Sequence, residues 1–215
     1  MANKKNWSDQ EPLMQQNMLH DCSLKGCSKK RIGLSKYCSS HTRYKALYGH
    51  PLLRALRKDD LEPHIKRAQQ FIDRNREHRK VKHAMSKVHY WLTKAKVSPS
   101  NIAGGKDAQW LAKNQGDPEK VLSSALAFWL FAFENKEDSL WYETVETLEK
   151  GIGTVVLTLV ARPSSHDVGF HSYLKAKSRK EVGNYFHTEL TSFFVAATIA
   201  IQQYEDEINL KIPFE

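Results

Sequence analysis

The chain has 215 residues, 40% of them apolar, with a formal net charge of +9. That length suits one or two domains with room for a core. Its longest apolar runs, "ALAFWLFAF" (125–133) and "TVVLTLVA" (154–161), fall well short of the ~20 residues that span a bilayer, which excludes a helical membrane protein. The charge is uneven: residues 1–100 hold 22 Lys and Arg against 8 Asp and Glu, and residues 101–215 hold 11 against 16. Such a split points to one half that faces nucleic acid and another with a different task.

Residues 1–20 are polar and lack periodicity, so a flexible lead is expected there. They carry charge without an apolar core, so no secretory signal is expected and the reading is cytoplasmic. Every cysteine then falls within the next twenty positions, at Cys22, Cys27 and Cys38, with His41 close behind. Three thiols make a poor disulfide framework, whereas clustered thiols in an intracellular chain suit a metal. The spacing C-x4-C-x10-C-x2-H offers four donors for a tetrahedral zinc ion. "SLKG" supplies a tight knuckle with a glycine. The ten residues after Cys27 leave room for a short hairpin around Gly33, and the C-x2-H pair suits the first turn of a helix. A closed Cys3His set has no open position, so the metal is structural rather than catalytic. With no apolar core of its own, this module (21–58) is expected to fold only with its metal.

The positions Cys22, Cys27, Gly33, Cys38, His41, Arg43, Tyr44 and Gly49-His50-Pro51 form a C-x4-C…C-x2-H…G-x-P pattern. It resembles the small zinc modules of bacteriophage and mobile-element proteins, which occur in DNA-binding and HNH-nuclease-like chains. The resemblance covers residues 22–51 and implies nucleic-acid binding. The His-Asn-His set of the nuclease versions does not follow the module.

Lys29, Lys30, Arg31, Lys36, Arg43, Lys45, Arg54 and Arg57 surround the Cys/His set with few acids between them. They are the candidate nucleic-acid-binding residues, because neutralising phosphates gives salt-dependent affinity largely independent of sequence. Arg43 and Lys45, on the helix after Cys38, are the candidates for insertion into a groove, with DNA as the expected partner.

Residues 59–98 read as a long basic helix, roughly 54 Å if continuous. Asp59 and Glu62 fit a capping box, and Pro63 is tolerated in a first turn. Apolar residues recur at helical steps: Leu61, Ile65, Ala68, Ile72, then Met85, Val88, Leu92 and Ala95. Asn75, Arg76 and Arg79 break the stripe, so the helix is expected to bend or divide there. Its cations (Lys66, Arg67, Arg74, Arg76, Arg79, Lys80, Lys82, Lys87) either extend the nucleic-acid surface or form a solvated face. His78, His83 and His89 do not share a face.

Residues 101–116 read as a loop with one short helix. Asp117-Pro118-Glu119 opens a helix whose continuation is apolar on nearly all sides and therefore buried. A further helix is expected over 140–151, ended by Gly151, and 151–163 reads as a strand or a buried helix. Ser178 and Glu181 read as a capping box for the last helix, in which Val182, Tyr185, Phe186, Leu190, Phe193, Phe194, Ala197 and Ile201 follow helical steps. The fold class is thus mostly α: a zinc-stabilised module, a long basic helix, and a C-terminal helical domain (117–211) for self-association or a protein partner.

No catalytic set stands out. His166, Asp167 and His171 read as polar loop chemistry, and Glu143, Glu146 and Glu149 as a solvated helix face. The functional reading is a zinc-stabilised DNA-binding protein of a phage or mobile element, acting in transcription control, replication or recombination. The alternatives are a nuclease or nuclease accessory, and an assembly protein that docks on nucleic acid.

Overall fold

The computed structural model describes residues 10–135, 140–158 and 171–210. Among these residues all regular structure is helical, with eight α-helices, one 3-10 turn and a single isolated β-bridge. The chain divides into two units, Met1–Arg54 and Ala55–Glu215. The mostly α reading therefore holds.

The N-terminal unit contains α1 (Glu11–Met18) and α2 (Ser39–Tyr48). The segment read as a flexible lead thus holds a helix from Glu11; residues 1–9 lie outside the described residues. The Asn17 side chain fixes α1 by donating to the carbonyls of Gly33 (2.7 Å) and Ser35 (2.8 Å). Leu47, Tyr48 and Leu53 are its main buried apolar side chains besides the cysteines.

The C-terminal unit contains α3 (Lys58–Arg74), α4 (Arg79–Val97), α5 (Gly105–Gln115), α6 (Pro118–Glu134), α7 (Val145–Thr158) and α8 (His171–Leu210). Residues 59–98 are therefore two helices, divided where the apolar stripe breaks. The cause is local capping. The Asn75 amide donates back to the Phe71 carbonyl (2.8 Å), the His78 N–H turns back to the Asn75 carbonyl (2.8 Å), and the His78 ring then accepts from the Lys80 N–H. At the start of α3 the carboxylate of Asp60, not Glu62, reaches back to the Arg57 N–H (3.1 Å).

Helix α6 is the hub. It packs on α3, α4, α7 and α8, and buries Val121, Leu122, Ala125, Leu126, Phe128, Trp129 and Leu130, in keeping with its all-round apolar sequence. Asp117 caps it through the Glu119 N–H (3.0 Å). Trp91 of α4 is fully buried; its ring meets Phe186 edge-on at 5.3 Å, and its indole N–H donates to the Ala103 carbonyl.

Two helix boundaries differ from expectation. Gly151 does not end a helix: α7 runs through both Gly151 and Gly153. A Cβ on Gly151 would lie 1.9 Å from the Phe128 ring, and one on Gly153 would lie 1.9 Å from the Arg179 carbonyl. These glycines let α7 approach α6 and α8. Nor does α8 open at Ser178; it begins seven residues earlier. The Glu181 carboxylate instead accepts from the Gly104 N–H (3.2 Å) at the start of α5.

Candidate metal centre and cationic surface

Each ligand of the Cys/His set is placed by a short piece of backbone. Cys22 lies opposite Lys29, whose carbonyl accepts from the Cys22 N–H (2.9 Å), beside the antiparallel bridge Asp21–Lys30. Between them the Cys27 N–H turns back to the Leu24 carbonyl (3.1 Å), with Gly26 at φ 81°. That left-handed conformation suits glycine, so "SLKG" forms the expected knuckle. A second turn at Gly33 returns the chain so that Ile32 N–H meets the Tyr37 carbonyl (3.2 Å). Cys38 is the N-cap of α2, and His41 sits in the first turn. The Thr42 and Ser35 hydroxyls, 2.7 Å apart, tie α2 to that turn.

This scaffold brings Cys22, Cys27, Cys38 and His41 together, with four donor atoms within 4.8 Å of one another. His41 Nδ1 is 3.4 Å from Cys22 Sγ and 3.3 Å from Cys38 Sγ, and the Cys27 and Cys38 sulfurs are 4.0 Å apart. A tetrahedral ion with bonds of ~2.3 Å to sulfur and ~2.0–2.1 Å to nitrogen requires donor separations of roughly 3.5–3.8 Å. The residues therefore fit a metal ion, and Nδ1 is the imidazole donor. All three cysteines are free thiols.

The surroundings favour a thiolate. Burial pushes the Cys22 thiol up, but hydrogen bonds from the backbone of Leu24 and Cys38, aided by His41 and Cys27, outweigh it and bring it down to about 6. A hydrogen bond from the Lys29 backbone draws the Cys27 thiol down, yet burial and the Cys22 and Cys38 thiols together hold it above the ordinary value. Cys22 is thus drawn towards the thiolate and Cys27 away from it, and a bound cation would favour the thiolate form of its ligands.

Around this cluster the candidate cations play different parts. Arg31 is a strut: its guanidinium donates to the Asp21 carbonyl (2.9 Å), the Asn17 amide oxygen (3.3 Å) and the Ser23 hydroxyl (3.2 Å). Lys30 pairs with the Asp21 carboxylate (2.9 Å) and the Leu19 carbonyl, which holds the Asp21 carboxyl below its usual range. The ammonium groups of Lys36 and Lys45 both approach the Tyr37 ring, at 5.4 and 5.6 Å from its centroid. Lys29, Arg43 and Arg54 are exposed. Arg57 belongs to the C-terminal unit, in the backbone ahead of α3.

In the C-terminal unit most of the basic stretch is satisfied internally. Arg67 donates to both Glu134 (2.6 Å) and Glu205 (2.6 and 2.7 Å). Lys66 pairs with Glu62, Arg76 with Asp73 and Glu119, Lys82 with Glu77, and Lys87 with Glu189. Arg74 lies over the Tyr204 ring. The carboxylates involved were legible as charges but not as partners, because most lie far away in the chain.

Of the acidic trio, Glu146 pairs with Lys150, whereas Glu149 is buried rather than solvated and lies 3.7 Å from His187 Nδ1 on α8. His166 and Asp167 lie outside the described residues. Compared with known protein families, curated proteins and solved structures, the chain finds no significant match.

Proposed function

We propose that the N-terminal unit is a zinc-stapled module that docks on nucleic acid, DNA foremost, and that the C-terminal unit is a helical scaffold for assembly or a protein partner. The observation that carries this reading is the Cys22, Cys27, Cys38 and His41 cluster at tetrahedral spacing inside a cationic skin. Between Gln10 and Arg54 the chain has eight Lys or Arg and only two acids, Glu11 and Asp21. One of those acids is already paired with Lys30. The metal's work is to hold the knuckle, the Gly33 turn and α2 in one frame, which fixes where Lys29, Lys36, Arg43, Lys45 and Arg54 present their charge.

The C-x4-C…C-x2-H…G-x-P resemblance supports placing this module with those of phage and mobile-element proteins. The internal pairing of Arg67, Arg74, Arg76 and Lys87 supports leaving those four cations out of the duplex-docking surface.

The test is binding of the zinc-loaded full chain to duplex DNA across a salt series. If five cations meet phosphates, log K falls with log salt at a slope of about −4 to −5. Replacing Arg43 and Lys45 by Ala, with zinc retained, flattens that slope by roughly two. A chain that ignores duplex at low salt, or whose slope is unmoved by the double variant, overturns the reading. Incubating the same material with plasmid and a divalent cation separates docking from strand cleavage.

A further inference from the structure

A cleft of about 420 Å³ opens between the first half of α4 and the middle of α8, lined by Arg79, Lys80, His83 and Ala84 on one side and by Glu189, Leu190, Ser192 and Phe193 on the other. It belongs to the C-terminal unit and is separate from the metal centre. We propose that this cleft binds an organic phosphate of nucleotide size, with Arg79, Lys80 and His83 on the phosphate.

The first argument is charge. Six of the eight Lys and Arg from Lys66 to Lys87 meet a carboxylate or a ring: Lys66, Arg67, Arg74, Arg76, Lys82 and Lys87. Arg79 and Lys80 have no carboxylate partner among the described residues, and both are exposed and line the same cleft as His83. The one acid in the lining, Glu189, is already neutralised by Lys87 at 2.5 Å. The cleft therefore holds an unbalanced positive charge, while the fold around it balances its own.

The second argument is shape and lining. The volume lies within the ~300–1,000 Å³ of small-molecule pockets. An isolated inorganic anion leaves much of such a volume unused. Beside the cations, Ala84, Leu190 and Phe193 give an apolar wall, and Ser192 offers one hydroxyl. Two cations and an imidazole beside apolar side chains in one lining suit a phosphate joined to a mostly apolar body. Arg supplies a bidentate fork for phosphate oxygens, and Lys and His add single donors. The groove between α3 and α8, about 340 Å³, makes the contrast: its arginines, Arg67 and Arg74, are already engaged by Glu205 and Tyr204.

The same phosphate chemistry comes from a free nucleotide or from the phosphorylated end of a strand, so the experiment includes both. The full chain is titrated with AMP, adenosine, inorganic phosphate and a short 5′-phosphorylated oligonucleotide, by calorimetry or by methyl shifts of Ala84 and Leu190. AMP binds saturably, and adenosine binds at least tenfold more weakly. Arg79→Gln with Lys80→Gln weakens AMP roughly tenfold or more; these side chains are exposed, and circular dichroism verifies the fold. Lys25→Gln, in the other unit, leaves AMP binding unchanged. Ser192→Trp, which fills the cleft, abolishes it. A 5′-phosphorylated strand that binds more tightly than AMP, with the same dependence on Arg79 and Lys80, identifies a strand end as the source; the reverse order identifies a free nucleotide. AMP binding no tighter than adenosine, or equal in wild type and the Arg79/Lys80 variant, overturns the proposal.

Discussion

Gly183 on α8 sits against the backbone of Glu149 on α7, so that a Cβ on the glycine would lie 1.7 Å from the Glu149 carbonyl oxygen and 2.3 Å from its carbon. With Gly153 against the Arg179 carbonyl, it sets how closely the two helices pack. Backbone cannot yield as the tip of a flexible side chain can, so Gly183→Ala must push α7 and α8 apart. The expected loss is about 3 kcal/mol or more, read as a lower urea midpoint. Asn184→Ala, at the exposed neighbouring position, changes stability by less than ~0.5 kcal/mol. Equal stability of wild type and Gly183→Ala contradicts the close packing.

Arg67 joins three helices, with its guanidinium between Glu134 of α6 and Glu205 of α8. Removing it leaves two carboxylates facing each other without their shared cation. Arg67→Ala is expected to cost about 1–3 kcal/mol, or roughly 2–10 °C in melting temperature for a chain of this size. Its affinity for duplex DNA stays at the wild-type value, because that charge is already used inside the fold. A stable variant with weakened DNA binding reverses the assignment.

On the proposed reading, Arg31 is a structural cation of the N-terminal unit and Arg43 a docking one. Arg31→Ala breaks three hydrogen bonds that hold Asn17, Asp21 and Ser23. It is expected to lower zinc affinity in a chelator competition, and Arg31→Lys does not restore it because a single ammonium cannot span the same acceptors. Arg43→Ala leaves zinc affinity unchanged and weakens DNA binding alone. Identical behaviour of the two variants contradicts this division.

Tyr185 gives the fold an alkaline limit. Burial, reinforced by Glu189 and Tyr90, pushes its phenol up to about 12 from the usual 10, and its hydroxyl donates to the Lys87 carbonyl (3.1 Å). The folded-state pKa is raised, so the neutral phenol supports the fold fully below pH 10. That support is lost as pH rises from 10 to 12, because the unfolded chain ionises first. Absorbance titration should show a late tyrosine step near pH 12 that is absent in Tyr185→Phe. A full set of ionisations complete by pH 11 contradicts it.

What the sequence made legible were features in which residue type and local spacing decide the outcome. Cys22, Cys27, Cys38 and His41 stand out because few other residues ligate metal. The α3 and α4 faces appear in the steps of Leu61, Ala68, Val88 and Leu92, and the burial of α6 in its all-round apolar run. What stayed hidden depends on contacts between distant segments. Gly151 looks like a helix stop until Phe128 is seen against it. Glu181 looks like a capping residue until Gly104 takes its carboxylate. Asn17 looks like part of a loose tail until the Gly33 turn accepts its amide. Arg67 reads as either a phosphate contact or a solvated cation until Glu205, 138 residues away, is paired with it.

X-ray absorption at the zinc edge, with elemental analysis of the same purified chain, tests the proposed metal centre of the N-terminal unit. The expected result is one zinc per chain in a shell of three sulfurs and one nitrogen, with the nitrogen lost and the affinity sharply reduced in His41→Ala. Material without stoichiometric metal, or a shell unchanged by His41→Ala, contradicts it.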